Sequence, residues 1–181
     1  GTNAGEWTVF SLARGEYFAK NNVYFTDYYD RIVDTVNETA ASVNLNGALD
    51  KNKSTENSRL IVALSAIGKD ATSVGDWNLV EAYSANGINW IKKQGINGTI
   101  WTLIALDSNN YATSDPTIRQ QCVYYILAKQ FADGGWALSG SAADPDVTSM
   151  ALQALYPYKS QSKVENAAEK AFSCLSSIQN D

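Results

Sequence analysis

The sequence contains no histidine. That one absence removes Ser-His-Asp and Cys-His nucleophile activation, imidazole zinc sites and any histidine pH switch. Cysteine is scarce: Cys122 and Cys174 are the two thiols, and neither belongs to a CxxC pair of the kind that holds a metal. No metal and no cofactor is expected. Positive charge is in deficit, with 14 Lys+Arg against 19 Asp+Glu and a net charge of −5. Nucleic acid and anionic membrane surfaces are therefore poor partners. Long hydrophobic runs are missing too. The stretch Ile100–Leu106 is far short of the roughly 20 residues that span a bilayer, so no membrane insertion is expected. No basic segment leads into an apolar one near the start, so no signal peptide is expected within these residues. Carboxylates, tyrosines, lysines and the two thiols are what remain for chemistry.

What the sequence does contain is an internal repeat. Trp7-Thr8-Val9-Phe10-Ser11-Leu12 is echoed by Trp101-Thr102-Leu103-Ile104-Ala105-Leu106, and Val62-Ala63-Leu64-Ser65-Ala66-Ile67 by Met150-Ala151-Leu152-Gln153-Ala154-Leu155. With Trp7, Val62, Trp101 and Met150 as anchors the steps are 55, 39 and 49 residues. Spacing in that range is what one pair of helices per repeat requires. The surrounding stretches 7–13, 60–68, 99–106 and 147–155 are short and apolar, and a helix apolar all round must be covered all round. The segments between them differ. Thr26–Thr39 carries Asp27, Asp30, Arg31, Asp34 and Glu38. Ser162–Gln179 puts Val164, Ala167, Ala168, Ala171, Phe172, Leu175 and Ile178 on one stripe, with its charges off it.

The prolines fit helices as well. Asp115-Pro116 and Asp144-Pro145 each pair an N-cap carboxylate with proline at the first helical position, and Pro157 stops a helix near Leu155. Alternating apolar strands are lacking. The expected fold is all-α: a single domain over 1–181 with about four hairpins, each pairing an apolar inner helix with an amphipathic outer one. Such hairpins curve into a partial α/α toroid whose inner helices start at one rim. The two cysteines, 52 residues apart, are expected at equivalent places on successive outer helices, a spacing that suits a disulfide poorly.

One segment carries a resemblance. Gln130-Phe131-Ala132-Asp133-Gly134-Gly135-Trp136 resembles the Q-x3-G-x-W motif of the prenyltransferase and squalene-cyclase repeat. Gln94…Gly98…Trp101 is a looser copy, and Ser176–Asp181 is similar to the start of another. Asp146–Leu152 resembles the D-x-T-x-x-A-L opening of inner helices in the same superfamily. The stretch 133–155 is also similar to repeats in secreted or wall-attached proteins of Gram-positive bacteria. In this motif Gln130, Gly134 and Trp136 are read as structural, closing the reversal between two helices.

The resemblance also implies candidate chemistry. Class II terpene cyclases protonate an alkene with a D-x-D-D segment, and the match places Asp146 of Asp144-Pro145-Asp146-Val147 as that acid. Val147 stands where the pattern has a second carboxylate, and the plainer reading has Asp144 capping a helix and Asp146 in its first turn. The zinc site of protein prenyltransferases requires a histidine that this chain lacks. Trp7, Trp101, Tyr111 and Trp136, with Asp144 and Asp146, are the candidate binding residues, because aromatics at a concave rim suit flat apolar or sugar-like ligands. Three functions stay open: a non-catalytic binding or structural module of a larger secreted or cell-surface bacterial protein, partnered by that protein's other domains; a fragment of a class II terpene-cyclase-like enzyme; and a small-ligand domain like the corrinoid carriers.

Overall fold

The computed structural model describes residues 5–20 and 22–179, and among these the chain is all-helical. In chain order the helices are α1 (Glu6–Arg14), α2 (Val23–Val43), α3 (Ser54–Ala66), α4 (Glu81–Ile91), α5 (Gly95–Asp107), α6 (Ile118–Ala128), α7 (Pro145–Leu155) and α8 (Ser162–Ile178). A single bridge between Val74 and Trp77 is the sole strand-like pairing among the described residues. The four apolar stretches all lie on odd-numbered helices. These pack in a row, α1 on α3, α3 on α5 and α5 on α7. The even-numbered helices α4, α6 and α8 also touch in succession, and α6 and α8 lie against α5 and α7.

Charge-free sequence is explained by cover in the middle of the row. Leu60, Ile61 and Leu64 on α3 and Ile100, Leu103 and Leu106 on α5 are completely enclosed. At the ends of the row the expectation of all-round cover is wrong. Trp7, Thr8 and Ser11 on α1 are exposed, as are Ser149 and Gln153 on α7, because each of these helices has a row neighbour on one side alone.

Side-chain caps start α2 and α7. Asp144 accepts a hydrogen bond from the Val147 amide at 2.9 Å with Pro145 at the first helical position, and α7 stops at Leu155, where a one-turn 3₁₀ segment, Tyr156–Tyr158, takes over. Asp115 acts one step earlier than expected. Its carboxylate accepts from the Thr117 amide at 2.9 Å and from the Thr117 hydroxyl, forming a turn ahead of α6, which begins at Ile118. The charged helix expected over 26–39 is longer at both ends, capped by Asn22 and closed by Asn44 in the left-handed region.

A fully buried polar residue ties the loops to this scaffold. Asn57 on α3 accepts from the Leu49 amide at 2.8 Å and donates to the carbonyls of Gly47 and Leu79 at 2.9 and 3.1 Å. Two otherwise independent connections are thereby satisfied from one side chain. Arg59, two residues on, reaches Glu56 at 2.7 Å and the buried Glu6 of α1 at 3.3 Å, fastening α1 to the row.

Candidate functional site

The reversal between α6 and α7 is built from the motif residues. Gln130 donates its side-chain amide to the carbonyls of Gly134 and of Ala167 on α8, both at 2.7 Å. Gly134 has φ +95°, and a Cβ there would lie 2.5 Å from the Lys170 carbonyl oxygen. Glycine is therefore required for both its conformation and its closeness to the α8 backbone. Asp133 receives the amides of Gly135 and Ala143, which hold its carboxyl below the usual carboxylate range. Trp136 donates its indole N–H to the Ile126 carbonyl at 2.8 Å, and its main chain pairs with the buried Thr148 hydroxyl.

Several candidate binding residues are thus committed elsewhere. Trp136 is completely enclosed, so no ligand reaches it while the reversal is closed. Tyr111 is also buried, its phenol accepting from the Ala71 amide at 3.2 Å and sharing a hydrogen bond with Ser65 at 3.1 Å. Neither sits on an accessible rim. Asp144 is occupied as the cap of α7, and Asp146 is exposed in its first turn. A cyclase acid needs a dry cavity and close carboxyl neighbours to stay protonated. Water-exposed Asp146, with Val147 beside it, has the opposite surroundings and does not fit the general acid that the resemblance implied.

The remaining pair, Trp7 and Trp101, does come together. Their ring centroids lie 5.2 Å apart with planes at 59°, and Phe10 meets Trp7 edge-on at 6.2 Å. One helical turn further along the same face, a cleft of about 210 Å³ opens between all four odd-numbered helices. Phe10 and Arg14 come from α1, Val62 from α3, Ile104 from α5 with Ser108 just past its end, and Gln153 from α7. Arg14 lies over the Phe10 ring at 5.9 Å. The cleft is smaller than the roughly 300 Å³ of ordinary small-ligand pockets, which limits it to one ring-sized group. Sequence reasoning missed it because Phe10, Val62 and Ile104 resemble any other core residue. The face they share appears only once four helices are assembled.

Asp107, at the cleft's edge, is not a free base. Its carboxylate accepts from Arg119 Nε at 2.8 Å and from the Tyr158 hydroxyl at 2.9 Å. Burial, with Asp107 alongside, raises the Tyr158 phenol. Arg14, Ser108 and Gln153 are the other polar side chains lining the cleft, and Phe10 is its aromatic wall.

Both cysteines are buried and unbridged, Cys122 on α6 and Cys174 on α8. Their expected equivalence needs correction. Thr99 and Thr148, both fully buried, and Gln130 and Gln179 set an offset of 49 residues, which places Ala171 opposite Cys122 and Tyr125 opposite Cys174. Burial pushes the Cys122 thiol up to about 12, so at neutral pH it is a packed, protonated side chain. A thiol reagent is expected to leave Cys122 unmodified in the folded protein and to label it at once in strong denaturant. Rapid labelling of the native chain, located by mass spectrometry, would contradict that burial.

Comparison with protein-family models, with curated proteins and with solved structures finds no match for this chain.

Proposed function

We propose that this chain is a non-catalytic binding or structural module, an arc of an α/α toroid with odd-numbered helices inside and even-numbered helices outside. Its setting is a larger secreted or cell-surface bacterial protein whose other domains are its partners. Support for the arc comes from the row of apolar helices, the flanking succession of α4, α6 and α8, and the Gln130–Trp136 reversal that locks one hairpin onto the next. The observation that carries the binding reading is the tilted Trp7–Trp101 pair beside a cleft walled by four helices. Exposed aromatic faces next to Arg14, Ser108 and Gln153 suit a small apolar or sugar-like ring, which stacks on the indoles and hydrogen-bonds at its edge.

The test is a panel of monosaccharides, small aromatics and a corrinoid, followed by tryptophan fluorescence and by melting temperature. A ligand at 100 times its Kd stabilises by about 2.7 kcal/mol, an easily read shift. Trp7→Ala is expected to fold normally, because Trp7 is 44% exposed, and to weaken binding about tenfold, roughly 1.4 kcal/mol. A panel without any response, or equal affinity in the variant, overturns the reading. A response to the corrinoid alone favours the carrier-like function instead.

A further inference from the structure

The broad apolar stripe of α8 divides into two. Val164, Ala167, Ala171 and Cys174 are buried, whereas Phe172 is 61% exposed and Leu175 half-buried. Together with half-buried Leu152 and exposed Tyr156 of the preceding turns, Phe172 lines an open groove of about 580 Å³ between α7 and α8. A second hollow continues along it past Leu175 to Ile178.

The repeat itself says what covers such a surface. At the offset of 49 residues, Phe172 corresponds to Val123, Leu175 to Ile126 and Leu152 to Leu103. All three of those counterparts are completely buried, on helices α5 and α6 that α7 and α8 pack against. At the opposite end of the row α1 leaves Trp7, Thr8 and Ser11 exposed, and α2 carries exposed Asp27, Asp30, Arg31, Asp34 and Glu38.

We propose that the α7–α8 face is a docking surface for one further helical hairpin of the same repeat, joined in the same polypeptide through Gln179. Gln179 stands in the register of Gln130, whose side chain binds a backbone carbonyl of the next even-numbered helix. The incoming hairpin repeats the contact that α7 and α8 make with α5 and α6. It lays an apolar helix along Leu152 and a second helix over Phe172 and Leu175.

The experiment compares the 181-residue chain with one in which residues 131–179 are repeated directly after Gln179. The longer chain is expected to melt as one transition at least ~4 °C higher, with the added segment resistant to protease, because each docked repeat adds interface to the array. Phe172→Glu is expected to leave the 181-residue chain's melting unchanged, its side chain being exposed, and to abolish both the gain and the protection in the longer chain. An added segment that is digested, or a gain that survives Phe172→Glu, overturns the proposal. A dimer of the 181-residue chain in sedimentation, split by Phe172→Glu, also overturns it by assigning the face to a second copy.

Discussion

Asn57→Leu is expected to lower the unfolding free energy by at least about 3 kcal/mol. The substitution leaves the Leu49 amide and the carbonyls of Gly47 and Leu79 without their partner in the dry interior. Each buried polar group so orphaned costs about 1–3 kcal/mol. Asn57→Asp is expected to fare little better. A carboxylate accepts from Leu49 but cannot donate to either carbonyl, and it brings charge into a fully buried position. Denaturant titration followed by circular dichroism is the check: the midpoint falls while the slope stays as it was. A loss below about 1 kcal/mol would mean that water replaces the side chain.

Trp136→Ala is expected to cost about 3–5 kcal/mol, the usual range for deleting a large aromatic from a packed interior. The side chain is fully enclosed, and its removal also frees the Ile126 carbonyl. For a chain of 181 residues this corresponds to a fall of roughly 6–20 °C in Tm. Trp136→Phe keeps much of the volume but loses the N–H donor, and should fall between the two. Calorimetry on these variants and on Trp7→Ala separates the tryptophans by role. An equal loss at positions 7 and 136 would contradict the difference in their burial.

The contrast shows what a single sequence reveals here. Helix positions were readable wherever a local signal sufficed: the Asp144-Pro145 cap, the stop at Pro157 and the apolar stretches centred on Leu64 and Leu103 all hold in the structure. The motif residues Gln130, Gly134 and Trp136 were legible as a reversal for the same reason. Their bonding partners in α8 were not legible, because a carbonyl at Ala167 leaves no trace in side-chain pattern. Asn57 was invisible in another way. Within Ser54–Ser58 it resembles the polar start of a helix, and only the return of residues 47–49 and 79 beside it makes it a hub. Aromatic count misled as well. Tyr111 and Trp136 looked like ligand contacts from composition, while Phe10, which actually lines the cleft, passed as core. The width of α8's stripe was the one hint of the open face. Seven apolar positions are more than one neighbour can cover.

The reversal at Gly134 meets main-chain atoms of α8: the glycine lies against the Lys170 carbonyl, and the Gln130 side-chain amide donates to that of Ala167. Attachment of this kind ignores the identity of the exposed side chain at 170, provided the helix keeps its position. Mutations can therefore accumulate on the outward face of α8 without loosening one unit from its neighbour.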